Sequence, residues 1–511
     1  MRLDAHFDAG RLQLFGAPTV EGLAQAHPDV AAELGKFDSI QTAATFGGLL
    51  ALPELQSNCF RIEALVHLAI AYCAGHTTPT WALVQRSFER LDKGHCGLAE
   101  DPAEDVFAGI VGTRRGNFRV FEGIREGTCF YLQRVLDVVE NMPDGEPFNR
   151  IRDSIGCMLK LSDAVAARAR VSENSLGQEM PLHRLPSGIA NRLAAVRRFV
   201  RFSEEDLAQL QIPIDLLSDF AFGPSCGTGL RHSALGHSEL ERRPLVLQNR
   251  SLYLLLPTAV ASAITRFVIE EVVSMNSPAA WDRSLAREYQ RLVHETPILG
   301  GHNSPRLIFQ KMSSGQVGSV MTEVDPGRFL LLIFFVDGLS GFDDHGGLGG
   351  ANSNPDELSD AVAELLRQAA AEAQRRNTFR DGIALVVSCG YGRGLVFGLE
   401  DAPPEHWRLE SIAAHDLVTL SWLSDFDRLC LWRLLDLREA VEREGVELMN
   451  VNGLLNLVAW SRLLGGDIVP HGRLPDSFSA PTAGRLLMIP AECSMWFETR
   501  GDAGMGSQAC P

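Results

Sequence analysis

The apolar residues of this chain follow helical spacing in its first half and form strand-like runs near its middle. The clearest helix is RIEALVHLAIAYCAG, residues 61–75, whose apolar positions cover nearly every face and predict a buried helix. Downstream, VFAGIV and NFRVFEGI lie on either side of the turn residues GTRRG, which predicts a β-hairpin. We therefore expect residues 1–145 to form a mostly helical domain that ends near the polar, proline-containing MPDGEP.

Residues 146–275 continue the helical pattern and add a second hairpin. The apolar runs PLVL and LYLLLP are separated by the turn residues QNRS, an arrangement typical of two short paired strands. A further helix is predicted from Pro257 to Ser274. The polar stretch SENSLGQEMPLHRLPSG is predicted to be an exposed loop within this region.

A different order of elements is predicted within residues 276–400. After the helical SLAREYQRLVHE, the strands VGSVMTEV and RFLLLIFFV are joined by a DPG turn, a long amphipathic helix starts at Asn354, and the strand IALVVS follows. RFLLLIFFV and IALVVS are continuous apolar runs, as expected of strands buried on both faces. A strand, helix and strand in this order predict a β-α-β unit with parallel strands and a right-handed crossover.

The last part of the chain, residues 401–511, returns to helical patterns that end in glycine, such as NGLLNLVAWSRLLGG. Its tail, ETRGDAGMGSQACP, is expected to fray. The predicted fold class is therefore mixed α/β, with a helical N-terminal region, a central α/β core containing the β-α-β unit, and a helical C-terminal part.

Composition narrows the classes of function. The chain of 511 residues is 45% hydrophobic and 22% charged, which is typical of a globular protein. Its formal charge of -17 comes from 64 acidic and 47 basic residues, so any polyanion site must be a local basic patch. The ten cysteines are scattered without a C-x-x-C pair, which favours buried thiols in a reducing compartment. Because the start has no signal-peptide pattern, we expect a cytoplasmic protein. We also expect no membrane partner and no cofactor.

The predicted helix, hairpin, helix and strand of residues 281–390 occur in the order found in the restriction-endonuclease-like family, known by its PD-(D/E)XK motif, which this segment resembles. In that family a helix carries a glutamate, the first hairpin strand carries an acid, and the second carries Glu-x-Lys. These carboxylates hold Mg²⁺ and the lysine acts at phosphate. The resemblance implies a nuclease-like core.

The residues at the family's functional positions differ from that pattern. Glu288 matches the helix glutamate, whereas the first-strand acid falls on Met321 and the Glu-x-Lys falls on Phe334 and Val336. Since one carboxylate cannot hold the metal alone, the resemblance implies an inactive core. A buried hairpin of another α/β fold is the alternative interpretation.

Three loop motifs suggest other chemistry. GPSCG satisfies the G-x-S-x-G pattern of serine hydrolases, with Ser225 as nucleophile and His232 or His237 as base. Its surroundings instead favour a glycine-rich connecting loop. CGYGRG follows a strand but lacks the helix that a phosphate-binding loop needs. FDDHGG offers three potential metal ligands, Asp343, Asp344 and His345, although a solvated loop is the simpler interpretation.

The best candidate for a polyanion site is HRLPSGIANRLAAVRRFVRF, which carries arginines and no acidic residue. If it is helical from about residue 188, it presents a basic face that could contact phosphate or an acidic partner; a solvated surface is the alternative. Its arginines are Arg184, Arg192, Arg197, Arg198 and Arg201.

The sequence thus leads to three hypotheses of function. The first is a non-catalytic interaction or nucleic-acid-associated protein built on an inactive nuclease-like core. The second is a serine hydrolase that uses Ser225. The third is a protein-protein scaffold, so the expected partner is a nucleic acid or another protein.

Overall fold

The fold is given by a computed structural model of the chain. It describes residues 19–52, 59–93, 107–122, 128–171, 188, 190–223, 227–233, 235, 238–274, 278–295, 308–311, 315–337, 355–376, 378–388, 403–413, 417, 431–432 and 434–436. These residues form two compact units, of which the first extends to Val268 and the second begins at Ile269.

The first unit is mainly helical, and several of its helices start with a side-chain cap. For example, the Asp38 carboxylate accepts a hydrogen bond of 2.8 Å from the Gln41 amide at the start of α3, which satisfies one of the amides left open at a helix start. The helices are α1 Val20–Ala26, α2 Pro28–Leu34, α3 Ser39–Leu50, α4 Cys59–Tyr72, α5 Trp81–Lys93, α6 Thr128–Glu140, α7 Glu146–Ala169, α8 Leu193–Phe199, α9 Glu204–Gln209, α10 Gly227–Leu230, α11 Glu239–Arg242 and α12 Val260–Ser274. Helix α12 continues past Val268 into the second unit.

Two small sheets complete the first unit. The strands β1, Phe107–Thr113, and β2, Gly116–Glu122, form the antiparallel hairpin predicted from the sequence. The second sheet has three antiparallel strands in the order β3-β5-β4: β3 is Arg201–Ser203, β4 is Leu245–Gln248 and β5 is Ser251–Leu254. The second predicted hairpin is therefore also confirmed, with Asn249 and Arg250 both at positive φ in its tight turn.

The second unit contains a five-stranded sheet in the order β10-β9-β8-β7-β6. Its strands are β6 Ile308–Lys311, β7 Gly315–Asp325, β8 Arg328–Asp337, β9 Asp381–Ser388 and β10 Trp407–Ala413. Strands β6, β7 and β8 pair antiparallel, and β8, β9 and β10 pair parallel. Helix α13, Pro278–Glu295, precedes the sheet, and α14, Pro355–Gln374, connects β8 with β9. The predicted β-α-β order and its parallel strands are thus confirmed.

Helices cover both faces of this sheet. Leu365, Leu366 and Ala369 of α14 pack on Leu331 and Ile333 of β8 in one apolar cluster. On the other face, the ring of Tyr289 from α13 lies 5.8 Å from the ring of Phe334. This explains why RFLLLIFFV has no polar alternation: both faces of β8 are buried.

The DPG turn between β7 and β8 requires its glycine. Gly327 has a φ of +82°, and a Cβ atom there would lie 1.9 Å from the carbonyl oxygen of Thr378. Only glycine combines this backbone conformation with such a close approach.

The described residues confirm the mixed α/β class, with helices at the N-terminal side and the sheet in the centre. The edge strand β10 lies within residues 401–511, the segment expected to be helical. In the part of the chain that the structure describes, no helix has the length and apolar character needed to cross a membrane.

Candidate nucleic-acid interface

The described residues of the arginine-rich segment include a single 3-10 turn, Ala190–Arg192, followed by α8 and β3. Arg192, Arg198 and Arg201 are exposed, and we call these three residues the arginine surface. Among the described residues, Arg192 and Arg198 have no side-chain hydrogen bond or ion pair. Arg201 donates from Nε and Nη2 to the Ser251 hydroxyl, at 3.2 and 3.1 Å.

Arg197 differs from its neighbour and is not part of this surface. Its side chain is half-buried, and Nη1 lies 3.4 Å from the Thr45 hydroxyl on α3. Burial lowers the pKa of its guanidinium. Helical periodicity explains the difference, because successive residues point about 100° apart and Arg197 lies closer to the buried side of Leu193 and Val196.

Helix α8 is held against α3 by an unusually close backbone contact. A Cβ atom at Gly48 would lie 2.3 Å from the carbonyl oxygen of Val196, and one at Gly47 would lie 2.2 Å from that of Leu255. Two consecutive glycines on α3 therefore set the position of α8 and of the strand end beside it.

Arg168, near the end of α7, holds the turn from α8 to β3. Its Nη1 atom donates to the carbonyl oxygens of Arg198 and Arg201, at 3.1 and 2.6 Å, and lies 3.5 Å from that of Phe199. Its Nη2 atom lies 2.8 Å from an Asp206 carboxylate oxygen. The guanidinium also stacks on Phe202, 4.3 Å from the ring centroid.

Asp206 is fixed in its ionised form. Burial raises the pKa of its carboxyl, but hydrogen bonds from the amide and hydroxyl of Ser203, at 2.7 and 2.8 Å, together with Arg168 and Arg201, outweigh that effect and hold the pKa below its usual range. Asp206 therefore keeps a negative charge beside Arg168 at neutral pH. Burial lowers the pKa of the Arg168 guanidinium and Asp206 opposes the change.

The positions aligned with the nuclease motif do not share one face of the sheet. Met321 pairs with Leu331 and packs in the apolar cluster on the α14 side. Phe334 pairs with Gly318 and contacts Tyr289 on the α13 side. Val336 pairs with Gln316, and Glu288 falls within α13. The register proposed from the sequence therefore does not bring Met321 and Phe334 together.

The β7 residues nearest to Phe334 on the same face, Gly318 and Val320, carry no carboxylate. Val320 pairs with Leu332, and both side chains are buried, as are Phe334 and Tyr289. Within the described ranges, no group of three or more histidine, cysteine, aspartate or glutamate residues could hold a metal ion. Asp343, Asp344 and His345 lie outside the described residues.

Of the three residues in the serine hydrolase hypothesis, only His232 is among the residues that the structure describes. Ser225 and His237 lie outside the described residues, as does Arg184 of the basic segment. His232 is exposed, and its Nδ1 atom lies 3.0 Å from a Glu21 carboxylate oxygen.

A different serine and histidine do meet, and sequence reasoning missed them. His67 Nε2 lies 2.7 Å from the Ser238 hydroxyl, and His67 Nδ1 lies 2.8 Å from the Glu63 carbonyl oxygen. Because a carbonyl oxygen can only accept, Nδ1 carries the hydrogen, and in the neutral ring Nε2 accepts from Ser238. Both side chains are fully buried, so this pair is placed to join α4 to the start of α11, not to meet a substrate.

The only local signal for that contact was the capping box before α11. The Ser238 hydroxyl accepts from the Glu241 amide at 3.2 Å, and the Glu241 carboxylate accepts from the Ser238 amide at 2.7 Å. His67 lies 171 positions away along the chain, so no spacing rule relates the two residues.

The fold and the surface together define a mixed α/β protein that has an exposed arginine surface on its helical unit and a sheet covered by helices on both faces. A family model described as anti-phage protein Upx-like matches residues 16–508. The chain therefore belongs to the Upx-like family of anti-phage proteins. No curated protein and no solved structure matches it.

Proposed function

We propose that this protein acts in defence against phage by binding nucleic acid without cleaving it. Its family membership supports the defence role. The arginine surface supports the choice of ligand, and the apolar interior beside Phe334 supports the absence of cleavage.

The main support for the proposal is that Arg192, Arg198 and Arg201 are exposed on consecutive elements. Arg192 and Arg198 make no ion pair with another described residue, so their guanidiniums are available for phosphate oxygens. Guanidinium is the preferred protein group for phosphate, because its planar donors match the oxygens in pairs. In a chain of charge -17, this surface must act locally, so we expect binding to weaken steeply with salt.

The second unit is proposed to be an inactive nuclease-like core. Its element order is α13, β6, β7, β8, α14 and β9; apart from the additional strand β6, this is the order on which the resemblance rests. Where such a core would need carboxylates facing α13, this chain has Val320, Leu332 and Phe334, all buried. A buried apolar face excludes the water and the metal ligands that phosphodiester hydrolysis requires.

The test is a charge reversal at the two arginines next to the α8–β3 turn. Fluorescence anisotropy would measure binding of labelled single- and double-stranded DNA and RNA from about 50 to about 300 mM salt. We expect the double variant Arg198→Glu and Arg201→Glu to bind about 100-fold or more weakly than the wild type, because two attractive contacts become repulsive.

The control is Arg367→Glu, the same type of substitution at one exposed position of α14, where the arginine is paired with Glu364 at 2.7 Å. It should bind as the wild type does. Unchanged affinity in the double variant, or no binding by the wild type at the lowest salt, would overturn the proposal; the second result would favour a protein partner. Phage plating on cells that express each variant would then show whether binding and defence are lost together.

A further inference from the structure

The arginine surface lies beside backbone groups that should repel phosphate. Arg198 is in the last turn of α8 and Arg201 follows two residues after the helix end. The final carbonyls of a helix have no partner within the helix and carry the negative end of its dipole. A phosphate that approached Arg198 and Arg201 would therefore meet uncovered carbonyl oxygens unless another group neutralised them.

Arg168 covers those oxygens from the inner side. One nitrogen, Nη1, lies within 3.5 Å of the carbonyl oxygens of Arg198, Phe199 and Arg201. The positive charge thus sits where the helix end is most negative, and the direct hydrogen bonds fix the direction in which the chain leaves α8.

Arg168 is itself held in place on its remaining sides. Asp206 binds Nη2 at 2.8 Å and the Phe202 ring supports the guanidinium plane at 4.3 Å. Its side chain is 27% exposed, and both terminal nitrogens already have acceptors. The geometry therefore gives Arg168 a role different from that of Arg198, whose exposed guanidinium has no described partner.

We propose that Arg168 is a positioning residue of the nucleic-acid site: it neutralises the end of α8 and sets Arg198 and Arg201 toward the phosphates without contacting phosphate. The inference rests on the proposed function, which it deepens by separating the residue that organises the site from the residues that bind.

The test compares Arg168→Lys with Arg198→Ala in the full chain by the same salt-series anisotropy. A lysine keeps the charge but cannot serve the carbonyls and Asp206 at once, because its single ammonium lacks the planar fork. We expect Arg168→Lys to weaken binding about tenfold with an unchanged slope of log affinity against log salt, since no phosphate contact is lost. Arg198→Ala should weaken binding and reduce the slope by about 0.7 to 0.9.

Hydrogen exchange provides a readout that does not depend on the ligand. In Arg168→Lys, amides of residues 198–203 should exchange faster, while those of the β1–β2 hairpin should be unchanged. A melting curve of each variant would confirm that the protein is folded under the binding conditions. A lower affinity could then not be attributed to unfolding.

Each possible result of these measurements either supports or overturns the proposed role of Arg168. A slope reduced as far as in Arg198→Ala would mean that Arg168 contacts phosphate itself, and wild-type affinity in Arg168→Lys would mean that the site does not need it; either would overturn the proposal. Faster exchange in residues 198–203 together with weaker binding at constant slope would support it. If the wild type binds no nucleic acid, the proposed function fails first, and that result is distinct from any difference between the variants.

Discussion

At Cys73, just after α4, burial determines the chemistry of the thiol. Desolvation raises its pKa, a hydrogen bond with the Thr42 side chain opposes the rise, and the nearby Asp38 charge adds to it, so that the pKa reaches about 12. The thiolate is the reactive form of cysteine, and at neutral pH almost none is present at this position. We therefore expect Cys73 to react slowly with electrophiles in the folded protein.

We expect native Cys73 to be alkylated much more slowly than the same cysteine in urea at a pH of about 8, where an unperturbed thiol is partly ionised. Iodoacetamide labelling followed by mass spectrometry of the peptide would measure both rates. The unfolded sample is the control, and equal rates in the two samples would contradict the assignment.

The same shift predicts a pH dependence of stability. Because the folded-state pKa of the Cys73 thiol lies above the unfolded value, the folded protein keeps the thiol proton over a pH range in which the unfolded chain has lost it. The stabilising contribution is therefore complete below about pH 8.5 and declines as the pH rises from there toward about 12. Urea unfolding of the wild type and of Cys73→Ala should show a difference in stability that shrinks over this range.

At the scale of elements, the contact between α3 and α8 brings the backbone of one helix close to the backbone of the other. The carbonyl of Val196 approaches the position where a Cβ atom of Gly48 would be. Such close approaches depend on the absence of a side chain. A side chain added at Gly48 would therefore displace α8 and, with it, the arginine surface.

We expect Gly48→Ala to destabilise the protein by about 1–3 kcal/mol, because the added methyl group forces the two helices apart. It should also weaken nucleic-acid binding, since α8 carries Arg198. Thermal unfolding and anisotropy would measure the two effects. The control is Gly156→Ala on α7, where the nearest atom to the added Cβ lies at 3.6 Å; alanine should be neutral or stabilising there because of its helix propensity. Equal stability of both variants would contradict the proposed tight contact.

At the scale of the whole molecule, two units with different properties belong to one chain. The first carries the arginine surface, and the second carries a sheet whose faces are occupied by apolar side chains from α13 and α14. The formal charge of -17 makes general attraction to polyanions unfavourable, so the proposed binding at the arginine surface would act against the field of the rest of the chain.

We expect the protein to leave DNA and RNA uncut in the presence of Mg²⁺ or Mn²⁺, because the sheet positions beside Phe334 supply no carboxylate to hold the metal. Plasmid and single-stranded substrates would be incubated with and without chelator and separated on gels. Cleavage that stops with chelator and persists in an independent preparation would show that the metal ligands lie elsewhere, and substitution of Asp343 and Asp344 would then test the FDDHGG loop.

Several elements could be predicted because their signals are local. The hairpin turns at GTRRG and QNRS, the apolar runs of β8 and β9 and the amphipathic α14 each depend on residues a few positions apart, and local spacing is what hydrophobic periodicity reports. The short edge strand β6 and the strand β10 gave weaker patterns. Their pairing is decided by neighbouring strands that lie elsewhere in the sequence.

The candidate site was predicted only in part. The sequence identified the arginine-rich segment, but it grouped Arg197 with Arg198, and only packing against α3 separates them. Likewise, nothing in the local pattern indicates that Arg168, some thirty positions earlier, covers the carbonyls at the end of α8. The meeting of His67 with Ser238 is equally non-local.

The sequence by itself determined the mixed α/β class, the three hairpins and the β-α-β unit, because patterning and turn residues act over short distances along the chain. Only the tertiary structure decided which arginines are exposed, which face of the sheet Met321 and Phe334 occupy, and which buried polar groups meet. Those outcomes depend on contacts between segments far apart in sequence, where burial and hydrogen bonding select one arrangement among many that the local patterns allow.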